Sequence, residues 1–134
     1  MQLPGIVLEA YNQAKEVQKN AYAPYSKFKV GSAIKLKNHD DIIVGCNVEN
    51  ASFGATICAE RSAILNSVAR FGESEIEFIV VVTDLEKPAV PCAQCLQVIC
   101  QFSEDDLPIY LANSEKIVSM LTLKELLPNP FKSL

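Results

Sequence analysis

The segment Glu77-Phe78-Ile79-Val80-Val81-Val82-Thr83 constrains the fold of this chain more than any other. A strand apolar on both sides has no face to give to water, so other elements must cover it above and below. That requirement points to a sheet packed between layers. The run from Phe78 to Val82 is far shorter than the ~20 apolar residues of a membrane span. A chain of 134 residues suits one domain, 1–134, and buries roughly two-thirds of its unfolded surface without needing disulfides.

The flanking patterns supply the layers. Ile6, Val7, Ala10, Ala14 and Val17 recur at helical spacing behind Pro4, and Ala23-Pro24 ends the pattern. Phe28 to Lys37 alternates as a half-buried strand. Asn38-His39-Asp40-Asp41 is turn chemistry, and Ile42 to Val48 returns antiparallel. A helix is expected from Cys58 to Arg70 with Gly72 as its C-cap, and another from about Cys92 to Phe102. Leu107–Ala112 and Lys116–Met120 read as a hairpin, and Thr122–Leu127 as a short helix stopped by Pro128. The order α-β-β-α-β-α-β-β-α predicts an α/β fold, three-layer α-β-α, with a mixed sheet of about five strands.

Five cysteines are an odd number, and the first residues lack the basic start of a signal peptide, so a cytoplasmic protein is expected. There such thiols are core residues, metal ligands or catalytic groups. Cys58-Ala59-Glu60-Arg61 and Pro91-Cys92-Ala93-Gln94-Cys95 each fall at an expected helix start, where backbone N–H groups favour thiolates. Cys92 and Cys95 share a helix face. With Cys58 they make three ligands for one Zn²⁺, which keeps a fourth position open for water, the mark of a catalytic site. Glu60 lies close enough to move a proton there, and Arg61 offsets the excess negative charge. Cys46 and Cys100 read as core thiols and His39 as an exposed turn residue. A structural zinc module that recruits Cys46 or Cys100, and a redox protein using Cys92 and Cys95, remain open at this point. The net charge of −4 and sequence pI near 5.0 argue against nucleic acid as a partner.

The pattern resembles the cytidine deaminase family, in its small homotetrameric, all-cysteine branch; the general zinc-deaminase signature is well known. The likeness extends to Pro24-Tyr25-Ser26-Lys27-Phe28, to Gly45-Cys46-Asn47-Val48-Glu49-Asn50-Ala51-Ser52-Phe53-Gly54 and to Leu126-Leu127-Pro128 with Phe131. The resemblance implies Cys58, Cys92 and Cys95 as zinc ligands and Glu60 as proton shuttle. It implies that Asn47 and Glu49 hold the sugar through its 3′-hydroxyl, and that Phe28, Ala51, Phe53 and Ala59 line the nucleoside site. Phe131 would reach a neighbouring subunit's site. The implied activity is hydrolytic deamination of cytidine and 2′-deoxycytidine in pyrimidine salvage. A nucleic-acid base deaminase and a deaminase of a cytosine-bearing antibiotic are the nearest rivals. Leu96 stands where the family usually has arginine, leaving Arg61 as sole compensator, and Lys29 where it often has proline.

Overall fold

The structure, a computed structural model, describes residues 1–133. Its elements are α1 (Gly5–Gln18), β1 (Gly31–Leu36), β2 (Ile42–Cys46), a 3₁₀ turn (Phe53–Ala55), α2 (Ala59–Phe71), β3 (Ile76–Val82), α3 (Ala93–Gln101), β4 (Pro108–Ala112), β5 (Ile117–Thr122) and α4 (Leu123–Leu126). They build one five-stranded sheet in the order β2-β1-β3-β4-β5. Only β3 and β4 run parallel, and the other neighbours are antiparallel, so the sheet is mixed.

The doubly apolar strand is covered on both faces, as its composition demands. Ile79 and Val81 join Ile34, Ile43, Ile109 and Leu111 under residues of α2 and α3, including Ile64 and Ile99. On the other face, Phe78, Val80 and Val82 join Ala33 under Val7, Ala10, Tyr11 and Ala14 of α1. The three-layer α/β expectation is met, with α1 in one outer layer and α2 and α3 in the other.

Two expectations need correction. Residues 31–34 of β1 are all buried, so that strand is not half-exposed; α1 and α2 cover its two sides. The ladder also begins at Gly31, and not at Phe28. Residues 28–30 are held instead by a side chain, Asn47, whose amide donates to Phe28 O and accepts from Val30 N, both at 2.8 Å. The first helix ends at Gln18, short of Ala23, because Tyr22 leaves to form a bridge with Val48.

Gly45 sets the height of α2 over the sheet. A Cβ there would lie 2.3 Å from Ala63 N and 2.7 Å from Ala59 O, so only glycine admits the first turns of α2 this close to β2. Those turns carry Cys58 and Glu60. Gly72 closes α2 with φ +73, a conformation open to glycine.

Candidate metal centre and nucleoside cavity

Cys58 and Cys92 occupy the N-cap positions of α2 and α3, with extended backbones and no side-chain capping bond. Serine or aspartate usually fills that place to satisfy free N–H groups. Here a thiol stands there without capping, at the positive end of each helix dipole. Cys95 follows one turn into α3 and is buried, whereas Cys92 is exposed. The three sulfurs lie within 4.8 Å of one another. Tetrahedral Zn²⁺ with ~2.3 Å bonds would place its sulfurs about 3.8 Å apart, so the donor set fits one zinc per chain with little adjustment.

The charges favour the same use. The neighbouring Cys95 thiol and the Arg61 guanidinium hold the Cys58 thiol well below its ordinary value. Cys95 is correspondingly pushed far up, first by Cys58 and then by burial. Metal ligation takes thiolates, so binding displaces whatever protons the three thiols carry. Arg61 Nη2 lies 3.5 Å from Cys58 Sγ. Leu96 turns into the core, so it takes no part in the site's charge.

Neither Cys46 nor Cys100 joins the trio among the described residues. Cys100 is a core residue, and burial pushes the half-buried Cys46 thiol up. A closed four-cysteine module is therefore not what this fold builds. His39 is also not free in its turn: its ring stacks on Phe71 with centroids 4.1 Å apart.

Beside the sulfurs lies a cavity of about 290 Å³, close to the lower size of small-ligand sites. Phe28, Asn47, Glu49, Phe53, Cys58, Ala59, Glu60 and Cys92 all line it. Glu60, on the first turn of α2, is 5% exposed, and burial above all pushes its carboxyl up to about 7. A carboxyl near neutrality accepts and returns a proton with little bias. Ala51 and Phe131 do not border the cavity within this chain. Ala51 is exposed on the loop before the 3₁₀ turn, and Phe131 is 61% exposed, its carbonyl accepting from Gln97 Nε2 at 2.7 Å.

Asn47 and Glu49 are already at work within the protein. Glu49 Oε1 accepts the Tyr25 and Ser26 N–H groups at 3.0 Å each, and its other oxygen accepts the Ser26 hydroxyl. These two side chains therefore shape the cavity wall at residues 25–30. One N–H of Asn47 and one acceptor position of Glu49 remain for a ligand. Sequence reasoning missed Val81, Thr83, Ala89 and Val90 as lining residues. The signal that could have found the first two is their place at the carboxyl end of a parallel strand, where α/β sheets bind ligands.

The Ser26 hydroxyl, aided by the Ser26 and Tyr25 N–H groups, holds Glu49 below its ordinary 4.5, against the opposing effect of burial. Its folded value being lower than its unfolded one, its stabilisation is present above pH 4.5 and is lost as the pH falls through the folded value. A Glu49→Gln variant is expected to melt lower than the parent at pH 7, with the gap closing under acid. Melting curves from pH 7 to pH 3 check this; a gap constant with pH would show that the carboxylate's charge contributes nothing.

Three clustered thiols at two helix starts, two of them bordering a cavity that a buried carboxyl also lines, suit a zinc-dependent hydrolytic enzyme. The sequence pattern of the cytidine and deoxycytidylate deaminase zinc-binding region matches residues 7–111. The chain is 39% identical over 119 residues to a cytidine deaminase of Halalkalibacterium halodurans, covering 89% of each. With a cytidine deaminase of Sporosarcina psychrophila it is 40% identical over 119 residues, 89% of this chain and 86% of the other. The crystal structure of cytidine deaminase from Burkholderia pseudomallei superposes with a TM-score of 0.84 at 36% identity, covering 96% of this chain and 100% of that one. This chain belongs to the cytidine and deoxycytidylate deaminase family.

Proposed function

We propose that the chain is a single catalytic domain, 1–134, that hydrolyses cytidine and 2′-deoxycytidine to the corresponding uracil nucleosides and ammonia. The observation that carries this reading is the buried Glu60, which borders the same cavity as Cys58 and Cys92. Cys58, Cys92 and Cys95 would hold Zn²⁺, which when bound would supply Lewis-acid activation of a water. Glu60 borders the cavity where it can take a proton from the attacking water as the water oxygen bonds to C4 of the cytosine ring. The same carboxyl gives that proton to N3, then takes the remaining proton from the new C4 hydroxyl and delivers it to the 4-amino group as the C4–N bond breaks and the C4 carbonyl forms. One water enters and one ammonia leaves, so Glu60 ends as it began.

The other residues bind and orient. Phe28 and Val81 offer apolar walls to the base, and Ala59, without a larger side chain, leaves room beside Glu60. Asn47 and Glu49 present one remaining donor and one remaining acceptor position to a 3′-hydroxyl, which ribose and deoxyribose share. Arg61 holds the Cys58 sulfur and offsets the negative charge of three thiolates.

The assembly in this reading is a homotetramer acting in cytoplasmic pyrimidine salvage. Its support is apolar surface that one chain leaves uncovered: Phe131 at 61%, Phe53 at 57% and Tyr25 at 52% exposure. No helix among the described residues is long and apolar enough to cross a membrane. The test is ammonia release and ultraviolet change by zinc-loaded protein with cytidine, 2′-deoxycytidine, cytosine and adenosine. Turnover of the first two is expected. Protein that leaves both intact would overturn the activity, and a fully active monomer in sedimentation would overturn the assembly.

A further inference from the structure

Thr56 has a hydroxyl that the mechanism does not use. Its Oγ1 is buried without a hydrogen-bond partner, although the residue lines the cavity. Native proteins rarely bury a polar atom without satisfying it or using it.

The backbone shows which way this residue points. Val48 and Ile57 form an antiparallel bridge, with Val48 N–H donating to Ile57 O at 2.9 Å and Ile57 N–H to Val48 O at 3.0 Å. Residues flanking such a pair face one another and point to the side opposite it. Cys58 is therefore placed opposite Asn47, and Thr56 opposite Glu49. All four line the cavity, while Val48 is 47% exposed on the outer side. Thr56 thus belongs to the Glu49 end, away from Cys58 and Glu60.

The neighbouring polar side chains of the cavity wall each already make at least one hydrogen bond within the protein. Ser26 donates to Glu49 and accepts from Phe28 N, Asn47 holds residues 28–30, and Thr83 Oγ1 accepts from Leu85 N at 3.4 Å. Thr56 alone spends nothing on the protein.

We propose that Thr56 is a further substrate-binding residue, whose Oγ1 hydrogen-bonds a hydroxyl of the nucleoside's sugar. The proposal rests on the deaminase reading above. Oγ1 is buried as it stands, so this contact requires a turn about χ1 to another staggered position, in which the hydroxyl and the methyl group exchange sides. The sugar does not react, so the bond is equally strong before and during the chemical step and is read in KM and not in kcat.

The test uses zinc-loaded Thr56→Val and Thr56→Ser variants. Valine keeps the shape and removes the hydroxyl; serine keeps the hydroxyl. Thr56→Val is expected to raise KM for cytidine roughly 3- to 10-fold, the loss of one neutral hydrogen bond, with kcat within about twofold. The inhibition constant of uridine should rise by the same factor, and Thr56→Ser should restore both. The melting temperature of Thr56→Val should be equal or higher, because an unsatisfied buried hydroxyl is gone. Among the 2′-, 3′- and 5′-deoxy derivatives of cytidine, the one lacking the contacted hydroxyl should show no penalty. An unchanged KM in Thr56→Val, a rise that serine does not rescue, or an equal penalty on all four substrates would overturn the proposal. Failure of the deaminase reading is distinct, since wild-type protein would then release no ammonia from cytidine.

Discussion

Replacing Glu60 with glutamine is expected to lower cytidine turnover by at least the ~10²–10⁴-fold typical of a lost acid–base group, with zinc content and fold unchanged. Glutamine keeps the size and hydrogen-bonding capacity of the side chain but cannot carry a proton. The loss could exceed that range, because one carboxyl serves the water, N3 and the departing amine. If Glu60 were only a first-turn helix carboxylate, its removal would cost roughly 0.3–1 kcal/mol of stability and leave turnover intact. Stability gives an independent reading. In the metal-free chain the Glu60 carboxyl is raised from 4.5 to about 7, mainly by burial. A raised carboxyl stabilises fully below pH 4.5, and that stabilisation is lost as the pH climbs through 7. Metal-free Glu60→Gln should lack this decline. Cytidine absorbance, zinc analysis and melting curves provide the three measurements, and a zinc-replete variant keeping more than about a tenth of turnover would sink the proton-shuttle role.

Cys92→Ala should lose zinc, activity and stability together. Cys92 is exposed, so the truncation leaves little cavity, and its effect reads the metal and not the packing. A ligand that binds only the folded state stabilises it by about 4 kcal/mol at a thousandfold excess over its Kd. For a chain of this size, that corresponds to a fall in melting temperature on the order of 10 °C. The expected signature is a variant that melts with chelator-treated wild type and no longer responds to added zinc. Cys46→Ala, outside the sulfur trio, should keep its zinc. Stoichiometric zinc in Cys92→Ala would show that Cys92 is not a ligand.

Much of this was legible in residue order alone. The apolar run at Phe78–Val82 required covers on both sides, and α1 on one face with α2 and α3 on the other provide them. Both cysteine segments sit at helix starts because a proline or loop precedes each and helical spacing follows. That placement is local, so local sequence predicts it. That Cys58, Cys92 and Cys95 cluster, with Glu60 beside them, follows from the same local placement.

What only tertiary structure decided involves residues far apart in the chain. Nothing local reveals that the Asn47 amide binds Phe28 and Val30, or that Glu49 gathers the N–H groups of Tyr25 and Ser26. Hydrogen bonds across about twenty residues depend on how β2 lies beside the 22–30 loop. Alternation misjudged β1 for a related reason: exposure is settled by which helix lands on which face, and the small residues Gly31, Ser32 and Ala33 admit a helix without announcing it. Residue types and their local spacing therefore determined the chemistry and the layer order. Packing at long range determined the cavity, the raised carboxyl of Glu60 and the unpaired hydroxyl of Thr56, because burial and hydrogen-bond satisfaction exist only once distant segments meet.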